Sequence, residues 1–201
     1  MKNLAPLTLL LVLVAGSYAH ASAQGFGVEK KNPPALAGSE SFTSIEGRFT
    51  VALPRQISGF SPVSFDTPQG RVTAGDSYYW RLEGAQFEIG YMDVPSAPAS
   101  ADDARAKLRK GADAIIASAV SKGGTLVSRS DISLAGNVGH EIKVETPQLF
   151  ILARFFSVGR RVYQLTAVSK KDPQLQESAT KALDSFRVLS AAEVEIGRAH
   201  V

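Results

Sequence analysis

The amino-acid sequence predicts an α+β fold, an antiparallel sheet of about six or seven strands flanked by two helices. Three observations carry this expectation. Short segments that alternate apolar and polar residues follow one another across Gly-containing turns, as consecutive hairpins require. Two stretches, near 100–120 and 172–186, hold their apolar residues at helical spacing behind good N-caps. A late pair of segments within "FILARFFSVGRRVYQLTAV" is almost continuously apolar, which places those strands centrally, in a sheet covered on both faces.

The chain opens on "MKNLAPLTLLLVLVAGSYAHASAQGFG". Lys2 and the free amine make a positive start, Leu7 to Ala15 is a run of mainly large apolar residues, and Ala21-Ser22-Ala23 has the form of a cleavage site. The apolar run is shorter than the roughly 20 residues that span a bilayer. Residues 1–23 are therefore expected to be a signal peptide cleaved after Ala23. The mature protein is expected to be periplasmic or secreted, with no stable membrane anchor. Residues 24–41, rich in Gly, Pro, Ser and charge, read as a flexible linker.

A single domain is expected over residues 42–190. "EGRFTVALP" alternates Phe49, Val51 and Leu53 against Arg48, Thr50 and Ala52, a half-buried strand closed by Pro54. Residues 55–70, broken by Pro and Gly, read as a loop. Two long strands turning at Glu83-Gly84 follow, with Tyr78, Trp80 and Leu82 sharing one face and Phe87, Ile89 and Tyr91 another. Ser100 is a candidate N-cap, with Asp103 completing a variant capping box. Behind it Ala104, Leu108, Ala112, Ile115, Ile116 and Ala119 form an apolar stripe that Gly123-Gly124 stops, and Asp103 and Lys107 are spaced for an ion pair. "TLVSRSDISL" and "HEIKVET" read as strands joined at "AGNVG", and the apolar pair already quoted turns at Gly159-Arg160. Asp172-Pro173 starts the last helix, whose face is Leu175, Ala179, Leu183 and Phe186, and "SFRVL" closes the domain. Residues 191–201 read as a tail. Its last seven residues, "EIGRAHV" (195–201), back-translate through a widely used sequencing adapter and are expected to be foreign to the natural chain.

Composition narrows the function classes. The 201 residues are 44% hydrophobic and 20% charged, enough for one well-formed core. With no cysteine, disulfides, thiolate catalysis and cysteine-held metals are excluded. Lys and Arg exceed Asp and Glu by 22 − 19 = +3, and removing Lys2 leaves +2, too small an excess for a nucleic-acid partner. Of the three histidines, His20 leaves with the signal peptide and His200 lies in the tail, so His140 stands alone and cannot build a His-cluster metal site. No G-x-S-x-G elbow or calcium loop is present, and "SKGGT" follows a helix instead of opening one. His140 is read as a strand-end residue without a catalytic role. No cofactor is expected.

The open item is Arg154, which alternation places beside Phe150, Leu152, Phe156 and Val158. A buried unpaired charge costs several kcal/mol, so Arg154 must meet a carboxylate, find carbonyls or snorkel. A structural ion pair with a strand glutamate is favoured. The alternative is an anion-tipped apolar pocket in which Arg154 lies beside Tyr79 and Arg81. Arg160 and Arg161, next to the hairpin Gly159, read as a solvated corner. The carboxylates Glu88 with Asp93, and Glu141 with Glu145, offer a weaker route to hydrolysis, which needs two acids facing across a cleft.

"EGRFTVALP" early, "VGRRVYQLTAV" late and "ALDSFRVL" at the end resemble the PsbP-like family, that of photosystem II extrinsic proteins and small bacterial envelope proteins. The matching positions are Phe49, Val51 and Pro54, then Gly159 and Tyr163, then Ser185 and Phe186, in order across roughly 42–190. The resemblance implies an α/β/α sandwich whose members bind or stabilise partners without catalysis. Photosynthetic members assist metal-cluster assembly, and no ligand cluster here carries that role over. The resulting expectation is a non-enzymatic exported protein that contacts an envelope partner protein through Tyr79, Arg81 and Arg160. The alternatives are a carrier of a small anionic or lipid-like ligand held by Arg154, and a carboxylate hydrolase.

Overall fold

The computed structural model describes residues 40–67 and 70–199. The expected signal peptide and nearly all of the expected linker lie outside these residues. The described elements run β1 (Phe42–Ser44), β2 (Phe49–Val51), β3 (Gly59–Thr67), β4 (Gly70–Leu82), β5 (Ala85–Asp93), α1 (Ala101–Val120), β6 (Thr125–Leu134), β7 (Asn137–Glu145), β8 (Leu149–Val158), β9 (Arg161–Lys170), α2 (Pro173–Asp184), β10 (Arg187–Val188) and α3 (Ala191–Ala199). Seven strands form one antiparallel sheet in the order β3-β4-β5-β9-β8-β7-β6, and β1-β2-β10 form a second, small sheet. The α+β class with its antiparallel sheet is therefore present. Among the described residues no helix is long and apolar enough to cross a membrane.

Local signals explain most of these boundaries. Ser100 Oγ accepts from Asp103 N at 3.1 Å and Asp103 holds Lys107 at 2.9 Å, so α1 starts with the expected cap and surface pair. Asp172 Oδ1 accepts from Gln174 N and Leu175 N, with Pro173 at the first turn of α2. The β4–β5 turn needs Gly84, whose φ is +73° and whose missing side chain leaves room for Leu175. The nearly continuous apolar strands β8 and β9 are central, as their composition requires.

Each face of the large sheet has its own core. Phe49, Trp80, Phe87, Ile89, Leu152, Phe156, Tyr163 and Leu165 pack with α2 and the small sheet. On the opposite face Leu108, Ala112 and Ile115 of α1 pack on Ile142, Ile151, Ala153 and Phe155. The short motif positions meet in the first core. Phe186 stacks on Phe156 at 6.1 Å and sits 5.4 Å from Phe49 and 5.3 Å from Tyr163. Tyr163 donates to Gly47 O at 2.9 Å, and Ser185 Oγ accepts from Ala52 N at 2.8 Å. Those motif residues specify how the small sheet is locked onto the large one.

Four elements depart from the sequence reading: the short strands β1 and β10 of the small sheet, β3 and α3. Residues 55–70 are not all loop, because β3 occupies Gly59–Thr67 and pairs with β4 along its length. It is an edge strand, and an edge tolerates Pro62 and the bulge between Val63 and Ser64. Residues 191–199 form α3, which the sequence reading assigned to a tail. Ser190 and Glu193 make a reciprocal capping box, with Ser190 N donating to Glu193 Oε2 at 2.8 Å and Glu193 N to Ser190 Oγ at 3.3 Å. These bonds and Arg187 hold the Glu193 carboxyl down at about 2. Val194 is buried, and Gly197 lets the helix approach Ile45 closely.

Candidate binding surfaces

Register settles which side chains share a face. Tyr78, Ile89, Leu165, Arg154 and Glu141 stand opposite one another across β4, β5, β9, β8 and β7, so they point to the α2 side. Tyr79, Glu88, Thr166, Ala153 and Ile142 form the adjacent row and point to the α1 side. Arg154 is therefore on the opposite face from Tyr79 and Arg81, which corrects the idea of a pocket that unites them. Arg160 is separate again. It lies in the turn just ahead of β9, six residues before Thr166 and roughly 20 Å from it at strand spacing, and its Nε donates to Val94 O at 3.0 Å. The four sequence-selected residues do not assemble into one site.

Arg154 is satisfied where it stands. Its Nε donates to Glu141 at 2.8 Å and its Nη2 meets Asp184 of α2 at 2.7 Å, with 12% of the side chain exposed. Both carboxylates come from the protein, leaving little call for an anionic ligand. The solvated-corner reading fails for Arg161. It makes a two-pronged contact with Asp93 at 2.7 and 2.6 Å, donates to Glu46 O and lies 4.5 Å over the Tyr91 ring. That partnership pushes the Asp93 carboxyl below its usual range. Tyr79 and Arg81 form a small cation–π pair at 5.5 Å.

The carboxylate pairs do not converge either. Glu88 and Asp93 point to opposite faces of β5, Glu88 accepting from Ser77 Oγ at 2.7 Å. Glu141 is taken by Arg154 and Glu145 by Lys171.

The α1 side holds a network that no motif announced. His140 is 1% exposed, with Nδ1 2.9 Å from Asp131 and Nε2 accepting from Arg129 Nε at 3.0 Å. An acceptor Nε2 makes this the neutral tautomer with its proton on Nδ1, facing Asp131. Arg129 also reaches Asp113 at 2.6 Å, and Arg109 reaches Asp131 at 2.6 Å, tying β6 to α1. Burial drives the His140 pKa down against the pull of Asp131. The lone pair that a general base would use is occupied by a guanidinium. His140 sits opposite Asp131 only because β6 and β7 pair in this register, which spacing alone does not disclose.

A further surface escaped the sequence reading because β3 did. Phe60 is 62% exposed and stacks on Tyr78 at 6.4 Å; Tyr78 in turn lies 5.1 Å from Phe42. Phe42, Ile45, Glu46 and Tyr78 line an open depression of about 590 Å³. Ser44 Oγ and the Tyr78 hydroxyl are 3.0 Å apart, fixing the floor, and burial raises the Tyr78 pKa.

The residues thus define a three-layer α+β protein with an aromatic ledge on one side and a His–Asp–Arg network on the other. No family model matches the chain, and no curated protein does. Solved structures similar to it include cyanobacterial PsbP from Synechocystis, at 12% identity and TM-score 0.48 over 80% of this chain and 98% of that one. The Ran-binding protein Mog1p of Saccharomyces cerevisiae has 8% identity and TM-score 0.44, over 76% of this chain and 96% of that one. A Pseudomonas aeruginosa protein of unknown function has 15% identity and TM-score 0.40, over 62% of this chain and 94% of that one.

Proposed function

We propose that this is an exported, non-enzymatic interaction module that contacts a protein partner of the cell envelope through its aromatic ledge. The carrying observation is Phe60, an exposed aromatic ring on an edge strand, stacked on Tyr78 at the rim of the Phe42–Ile45–Tyr78 depression. Aromatic side chains concentrate binding energy when buried at the centre of an interface, and Phe60 is already held in place by Tyr78. The ion-paired carboxylates and the occupied His140 Nε2 support a role in contact over one in bond cleavage. Export rests on the leader "MKNLAPLTLLLVLVAGSYAHASA", and the mature chain is proposed to begin at Gln24.

A photo-crosslinking phenylalanine analogue placed at position 60, in cells expressing the full chain, tests the reading. A discrete adduct with one envelope protein is expected, absent when the analogue sits at the exposed Lys110 of α1. Equal labelling from both positions refutes the ledge as the contact. The intact mass of the processed protein tests export, since a chain that still carries residues 1–23 contradicts it.

A further inference from the structure

The large sheet ends in two edge strands that are protected to different degrees. On β3, Pro62 and the bulge between Val63 and Ser64 fall in mid-strand, and both obstruct pairing with another chain. On β6 the register shift lies near its start, between Leu126 and Ser128, and regular strand without proline runs from Ser128 to Leu134. The strand is exposed over nearly all of its length, with Leu126 at 41% and Val127 at 53%.

The β6 sequence is also self-complementary. An antiparallel pairing with a second copy, centred on Ser130, sets Arg129 opposite the second copy's Asp131 and Asp131 opposite its Arg129. Ser128 then faces Ile132, and Leu126 and Val127 come alongside the Leu134 end of the other strand. A shift by one residue sets Arg129 opposite Ser130 and loses both charge matches. Among the described residues Arg129 spends Nε on His140 and Nη2 on Asp113 and Arg109 O, which leaves Nη1 as a donor for an acceptor across the edge.

The layer above the sheet leaves room. α1 lies mainly over β7, so joining two β6 edges separates the two β7 strands by three strand spacings, roughly 14 Å. Packed helices need only about 8–10 Å between axes, and the gap suits long side chains such as Arg105 and Arg109.

We propose that β6 is a homodimer interface, pairing antiparallel with β6 of a second copy about a two-fold axis at Ser130 to make one continuous sheet. The surface is distinct from the aromatic ledge beside β3, at the other edge of the sheet, and stands whether or not the ledge binds a partner. The absence of native cysteine makes the register directly testable. Directly opposed antiparallel residues have Cα atoms about 4.5–5.5 Å apart, within disulfide reach. In the proposed register two copies of position 128 are roughly 14 Å apart, beyond that reach.

The test is mild oxidation of the full-length chain carrying S130C, S128C or both S128C and I132C, beside sedimentation of the unsubstituted protein over a range of concentrations. Expected are a two-chain mass for the unsubstituted protein, covalent dimer from S130C and from the double variant, and no covalent link from S128C. A single-chain mass at every concentration overturns the proposal. A dimer in which S128C links and S130C does not overturns the register. Ser64→Cys on β3 is the edge control, and dimer from it alone assigns the interface to the wrong edge. S130P is expected to return the dimer to monomer, with circular dichroism checking that the fold survives.

Discussion

The two faces of the large sheet each bury a titratable group, and they do so by opposite means. On the α2 side the Arg154 guanidinium is clasped by Glu141 and Asp184. On the α1 side His140 stays neutral, donating to Asp131 while accepting from Arg129. The first face is closed by elements from both ends of the described chain, which bring Asp184 over the sheet. The second is closed by one helix, and its charges come from α1 and the exposed edge β6. The difference teaches that a strong cation needs carboxylates carried to it, whereas imidazole can shed its charge and be held by hydrogen bonds.

Breaking the ionised side is expected to have the larger effect. Arg154→Met strands Glu141 in a nearly closed site and should cost about 3 kcal/mol in urea unfolding. Replacing Arg154 and Glu141 together, R154M with E141L, should recover most of that loss, because the charge left without its partner, Asp184, is 58% exposed and solvated. Full additivity of the two single losses would show that the pair is not coupled in this way.

The neutral side is expected to yield to acid. The native His140 pKa lies below its ordinary 6.5, so as pH falls through 6.5 the unfolded chain takes up the proton first. Stability should decline from there until native His140 itself protonates, and level off below that pH. Thermal midpoints across this range check the sign, with H140Q removing this component. By NMR, Asp131→Asn should lower the native His140 pKa further, and Arg129→Met should raise it. Opposite movements would reverse the roles assigned to its two neighbours.

Smaller again are the helix caps that dock on each face. Ser100→Ala and Asp172→Ala should each cost about 1 kcal/mol. Hydrogen exchange should then quicken first in α1 for the former and in α2 for the latter, which separates the two layers.

Much of this arrangement was legible in local sequence. Ser100, Asp172 and Gly84 marked element ends through chemistry that acts within a few residues, and alternation put Arg154 on its correct side of β8. Gly59 and Pro62 hid β3, because an edge strand keeps residues that a central strand cannot. "SAAE" at 190–193 carried a capping box that the polar tail composition masked. The Arg161–Asp93 and His140–Asp131 contacts were unreadable for another reason. They depend on which strands pair and in what register, and β5 pairs with β9 across the whole of α1 and three strands.

The small sheet has a kinetic consequence. β2 is paired with β10, and Ala52 bonds Ser185 across a separation of 133 residues. Such a closure forms only after most of the intervening chain has been ordered, since the entropy of bringing distant segments together is spent before the contact repays it. A nascent chain that has exposed β2 but not yet residue 188 holds Phe49 and Val51 without their covering strand. The clasp is thus the seal on a slow, whole-chain collapse, and truncation ahead of β10 should leave an aggregation-prone species in place of a shortened native domain.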